Sequence, residues 1–316
     1  MLNVVFKRYS YPATVWLVVL VAAAWGGNLI YALGAPGGLA KEYAPALVAT
    51  AMISFCTIHG MARYGGRLFA GFVATVFLIG WTFETVSILT GIPFGTYHYT
   101  EMMAPFLGHV PVFVLPAYGV MGYVSWSLAS LILGHRRARL DAHGARWVPV
   151  LASGLMVIWD LSMDPLRASV EGRWIWVDGG AHHGVPVLNY FGWFVVTWLM
   201  FKVFAALTHR FAQQAPKACD THPSWRAVPA IYLAFSVEYL VNPLTGHGLA
   251  TDIIVNGQAI KAQVIFLDTA LLAGVTMVPM ALLGVVCLWR PDWVRARLLR
   301  SDIKTATRTG GWRWNR

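Results

Sequence analysis

Five carboxylates stand where a chain this apolar has little room for them. Glu84 in WTFETVSIL, Asp160 in MVIWDLSM, Glu238 in AFSVEYLV and Asp268 in VIFLDTALL sit inside hydrophobic runs, and Asp164 closes the run that holds Asp160. A carboxylate in hydrocarbon costs several kcal/mol unless it is paired, protonated or turned toward a wet cavity, so each such position is a functional candidate. Asp160 and Asp164 are four residues apart and share one face of a helix, which Pro165 is expected to end. Glu84, Asp160, Glu238 and Asp268 are each expected about five or six residues below the outer boundary, roughly 8–9 Å at helical rise. No Lys or Arg is expected at that depth to pair them. Burial and mutual proximity favour the neutral form of a carboxyl group, and a neutral carboxyl in an apolar site is a general acid.

Other chemistries compete for the same residues. The DLSMD spacing of Asp160 and Asp164 matches the DxxxD used for Mg-diphosphate binding in UbiA-like membrane prenyltransferases. No companion NxxxD-type motif precedes it, and the pair is expected to face away from cytoplasmic prenyl diphosphates. A layer of acids would also suit a proton-coupled transporter, although the chain shows no internal repeat of the kind many transporters carry. His98, His109, His182, His183 and His247 lack the clustered helical spacings of a membrane di-iron site, so no metal is expected. Cys56, Cys219 and Cys287 lie far apart and form neither a metal nor a disulfide pattern.

The elements that must position these residues are membrane helices. The 316 residues are 57% hydrophobic and only 12% charged, with a mean hydropathy of +0.57, where a soluble chain carries about 25% charged residues. Hydrophobic stretches fall at about 12–33, 43–62, 68–90, 109–134, 147–164, 187–209, 225–243 and 263–289. These imply an all-α polytopic bundle of about eight transmembrane helices, or seven if the first is removed as a signal. Alternate loops divide the Lys and Arg 20 to 4, which places both termini in the cytoplasm and the chain in the inner or plasma membrane as a multi-pass protein. The whole chain, 1–316, reads as one integral membrane domain, with 290–316 a basic cytoplasmic tail suited to anionic lipid. That distribution accounts for the net charge of +10 without a nucleic-acid partner. The outer loops are rich in turn residues, aromatics and histidines and read as folded caps. Their aromatics and those beside the acids serve either an interfacial belt or a polyene groove whose π faces stabilise a cation.

Read together, Glu84, Phe94 to Tyr99 (FGTYHY), Pro111-Val112, Trp159-Asp160 with Asp164-Pro165, Trp174-x-Trp176, Gly184-Val185-Pro186, Asn189 and Gly192-Trp193 resemble the carotenoid biosynthesis membrane family. That family includes bisanhydrobacterioruberin hydratase and γ-carotene hydratases. The resemblance runs from about residue 80 to 200 and does not extend to Glu238 or Asp268. It implies a carbon–oxygen lyase that hydrates the terminal 1,2 double bond of an acyclic ψ end group in carotenoid and xanthophyll biosynthesis. The implied partners are a lycopene- or γ-carotene-like polyene, membrane lipids and other enzymes of the pathway. Alkene hydration requires a proton donor, a cation-stabilising surround and a positioned water, and no cofactor. On chemical grounds Asp160 is the expected donor, with Asp164 or Glu84 as partner and base. Glu238 and Asp268 complete the catalytic acids. Tyr97, Trp174 and Trp176 are expected to face the cation, and Asn189 or His98 to orient water. Tyr99, Trp159 and Trp193 complete the expected substrate-binding set.

Overall fold

A computed structural model describes residues 10–35, 37–211 and 223–289. The Lys7-Arg8 pair, Cys219 and the basic tail fall outside the described residues. The chain is mostly helical, in the order α1 (Ser10–Leu33), α2 (Leu39–Thr90), α3 (Val114–Ile132), α4 (Ala142–Pro165), α5 (Val187–Phe211), α6 (Ala227–Val241), a short α7 (His247–Ala250), α8 (Ala262–Val275) and α9 (Met277–Trp289). Among the described residues, six helical stretches are long and apolar enough to cross a membrane: Thr14–Leu33, Leu39–Thr90, Ala142–Val170, Val187–Phe211, Ser224–Leu244 and Ala262–Trp289. The 52 residues of α2 exceed what one crossing needs, about 20 residues, and Gly65 interrupts them with φ 72° and ψ 166°. A side chain at Gly65 would be strained, so glycine is what allows the second leg to leave at a new angle.

Helix α3 is buried all along 121–132 and forms the centre of the bundle, packed by α2, α4, α6 and α9. A helix covered on every side can be apolar all round. Asp141 opens α4 by accepting from the Gly144 amide at 2.8 Å. As expected, the α-helical part of α4 stops at Pro165, but the helical path does not: the chain continues directly as a π turn, Leu166–Val170.

The expectation of an all-helical chain is amended by three antiparallel ribbons in the loops: β1 (Tyr97–Tyr99) with β4 (Trp174–Trp176), β2 (Phe106–Leu107) with β3 (Val110–Pro111), and β5 (Asp252–Val255) with β6 (Gln258–Lys261). The last is a hairpin turned by Asn256-Gly257, a pair suited to a two-residue connection. Asn256 also docks it on the loop before α5, donating to the Gly180 carbonyl at 2.9 Å. The first ribbon joins two loops far apart in sequence, and it lies against the site.

Candidate active site

The β1–β4 register pairs Tyr97 with Trp176, His98 with Ile175 and Tyr99 with Trp174. Because side chains alternate across a strand, Tyr97, Tyr99, Trp174 and Trp176 share one face, and all four line a cavity of about 290 Å³. The same alternation turns His98 and Ile175 to the outside, where both are exposed. His98 is therefore not brought to the cavity.

Glu84, near the end of α2, lies under this ribbon. It accepts hydrogen bonds from three phenols: Tyr97, Tyr99 at 2.9 Å and Tyr118 of α3 at 2.6 Å. Burial pushes the Tyr97 and Tyr99 phenols well up from their ordinary range, and the neighbouring Glu84 adds to it, so both remain donors. The cage offers a carboxylate three O–H donors in place of a cation. Tyr118 also stacks on Trp193, with centroids 4.4 Å apart and planes 10° apart.

Across the cavity stand Asp160 and Asp164, both buried on α4. Asn189, at the start of α5, clamps them: its Nδ2 donates to Asp160 Oδ2 at 2.9 Å and to Asp164 Oδ2 at 2.7 Å. Asp164 Oδ1 accepts from the indole N–H of Trp174 at 2.8 Å and of Trp176 at 3.2 Å. Asp164 is thus held by three N–H donors. Asp160 is held by one, and among the described residues its Oδ1 finds no hydrogen-bond partner. Trp159 and Trp193 complete the aromatic wall, edge to face at 6.1 Å.

The expected layer of acids divides. Glu84, Asp160, Asp164 and Glu238 line the cavity, whereas Asp268 does not. Asp268 lies 2.7 Å from His183 Nε2 with about half its side chain exposed. The expectation that no cation pairs the acids is corrected: Arg167 donates to Glu238 at 2.5 Å. The continuation of α4 through the π turn brings Arg167 to this level, where it also pairs with Glu171. Glu171 takes Tyr31 of α1 at 2.8 Å and Arg173 at 2.6 Å. Burial works to raise the Glu171 carboxyl, but Arg167, Arg173 and the Tyr31 hydroxyl outweigh it and hold it at about 2. Tyr118, Arg167 and Arg173 are cavity residues that sequence reasoning missed. A tyrosine in the apolar run that follows the Gly91–His109 loop was the available signal for Tyr118, and an arginine one helical turn beyond Asp164 for Arg167.

Comparison with known proteins places this geometry. A stretch of 118 residues is 34% identical to bisanhydrobacterioruberin hydratase of Haloarcula japonica, covering 37% of this chain and 38% of that protein. The chain thus spans well under half the length of this curated relative. No solved structure matches the chain. A family model described as "Carotenoid biosynthesis protein" matches residues 43–256, which include the phenol-caged Glu84, the clamped aspartates and the β1–β4 ribbon. The chain belongs to the carotenoid biosynthesis protein family.

Proposed function

We propose that the chain is a carotenoid hydratase, adding water to the terminal 1,2 double bond of an acyclic ψ end group. The observation that carries this reading is Asp160 Oδ1, a buried carboxyl oxygen with no partner among the described residues, on the wall of an aromatic cavity. Two buried carboxyls held by one amide relieve their repulsion when one of them keeps its proton. Asp164, with three N–H donors, suits the charged member and Asp160 the acid. In the reaction, the Asp160 proton adds to the alkene CH carbon, the π electron pair forms the new C–H bond, and a tertiary cation is left on the neighbouring carbon. The Glu84 carboxylate and the faces of Tyr118, Trp159 and Trp193 stabilise that cation. A water lone pair then forms the C–O bond, and the oxonium proton returns to the aspartate pair. The sum is alkene plus water to tertiary alcohol, with no change in redox state. The relative's name, a hydratase, supports the same reaction class.

The same reading takes the chain through the plasma membrane eight times, counting the two legs of α2 separately and α3 as a crossing. Both termini are then cytoplasmic and the cavity faces outward, as the 20-to-4 division of Lys and Arg favours. Membrane lipids and neighbouring pathway enzymes are its partners. Diphosphate chemistry is disfavoured, since the oxygens of Asp164 are already committed to Trp174, Trp176 and Asn189 and the two arginines of the cavity wall to Glu171 and Glu238.

Expression in a lycopene-producing host tests the proposal. Mono- or dihydroxylated product carrying oxygen from labelled water is expected, and Asp160→Asn lowers it by about 100-fold or more, the scale of general acid catalysis. Lycopene alone from the wild type refutes the reading. Full activity in Asp160→Asn removes Asp160 from the chemistry.

A further inference from the structure

The cavity is small for the molecule it is proposed to take. About 290 Å³ lies at the lower end of pockets for drug-sized ligands, roughly 300–1,000 Å³. It suits an isoprenoid end group, and a polyene attached to that group must leave the cavity somewhere. One wall is closed to a hydrocarbon: Arg167, Arg173 and Glu238 line it, joined through Glu171 and Tyr31 into one ionic network. The other edge is apolar. Phe113, Val114 and Ala117 at the start of α3 line the cavity together with Val48 of α2. Phe113 is 63% exposed and Ala117 is also exposed, so the cavity reaches the molecular surface there. Val114 and Ala117 are three residues apart and share a helix face, and the alanine methyl keeps the space beside it open.

We infer that the substrate binds sideways. The end group occupies the cavity beside Asp160, and the polyene runs out past Phe113 and Ala117, between α3 and the first leg of α2, into the hydrocarbon of the bilayer. This inference rests on the hydratase reading and adds a route: the polyene enters from lipid, through the side of the bundle, rather than from water.

The experiment narrows the exit and compares a long with a short substrate. Wild type, Ala117→Trp and the milder Ala117→Met are supplied with lycopene and with geranylacetone, a short isoprenoid with the same terminal isopropylidene group. Lycopene co-purifying with each protein is read by visible absorption, and folding by thermal unfolding in detergent. Leu78→Trp, on an exposed face of α2 away from the cavity, is the control for an added indole. Ala117→Trp lowers the ratio of lycopene to geranylacetone turnover by about tenfold or more, the scale expected of an overpacked contact. It also loses bound lycopene, with Ala117→Met between it and wild type and Leu78→Trp like wild type. If Ala117→Trp does not fold, the Ala117→Met shift decides. An unchanged ratio and unchanged co-purification in a folded variant overturn the lateral exit. A wild type that binds lycopene without hydrating either substrate refutes the hydratase reading alone, because the exit is still scored on bound lycopene. A wild type that neither binds nor hydrates refutes both.

Discussion

Asn189 holds Asp160 by one oxygen only. Its Nδ2 lies 2.9 Å from Asp160 Oδ2, and the other proton of the same amide reaches Asp164. The clamp holds Oδ2 and leaves Oδ1 without a hydrogen-bond partner among the described residues, so a single amide restrains the acid and leaves its second oxygen uncommitted.

Replacing that amide tests the clamp. Asn189→Leu keeps the branching at Cγ, with some added bulk, and removes both N–H donors, leaving two buried carboxyl oxygens unsatisfied at about 1–3 kcal/mol each. Thermal unfolding in detergent is expected several degrees lower, with turnover reduced as well. Wild-type melting together with wild-type turnover would show that Asn189 restrains neither acid.

Tyr118 separates two contributions that its position combines. Tyr118→Phe keeps the ring stacked on Trp193 but removes one of the three phenols around Glu84. A hydrogen bond to a charged group is worth about 1.5–3 kcal/mol. Turnover is expected to fall about tenfold or more, with the melting temperature lower and the Trp193 environment preserved in fluorescence. Equal turnover in the two proteins would mean that the phenol cage does not bear on the reaction.

Stability at acid pH follows from Glu171, just beyond the membrane-spanning part of α4. Its folded value, about 2, lies below the ordinary 4.5. A depressed acid contributes stability that is complete above its unfolded value and is lost as pH falls through the folded one. The melting temperature is therefore expected to fall between about pH 4.5 and 2. Glu171→Gln starts lower, because Arg167 and Arg173 lose their shared partner, and loses less over that window. Parallel curves for the two proteins would exclude Glu171 as the group responsible.

Much of this was legible in the residues. The carboxylates in apolar runs pointed to Glu84, Asp160 and Asp164, and each apolar stretch is helical, because burial in hydrocarbon leaves hydrophobic length as the dominant signal. Gly192 beside Trp193 was legible as part of a motif but not for its reason. A Cβ there would lie 2.5 Å from the Pro93 carbonyl oxygen and 2.8 Å from the Phe94 ring, so glycine lets α5 approach the loop under the ribbon. The ribbon itself was hidden because its strands are three residues long and come from different loops. Tyr-His-Tyr and Trp-Ile-Trp do alternate in the manner of strands, and pairing them would have turned His98 outward. Arg167 was missed because the helical path was taken to stop at Pro165, where a π turn continues it. Backbone continuity past that proline, rather than composition, brings a cation to Glu238. Asp268 shared the expected depth but not the direction, and depth alone does not fix the face of a helix.

The hydrogen bonds around the acids also bear on how the protein is made. Glu84 finds its phenols 13, 15 and 34 residues later in the chain. Asp164 finds its indoles 10 and 12 residues later and its amide 25 later, and Asp160 finds the same amide 29 later. Glu238 meets an arginine made 71 residues before it. On the proposed membrane path, then, each of these acids is inserted with its donors either already present or next to emerge, and each is covered within roughly one helical hairpin of its own arrival.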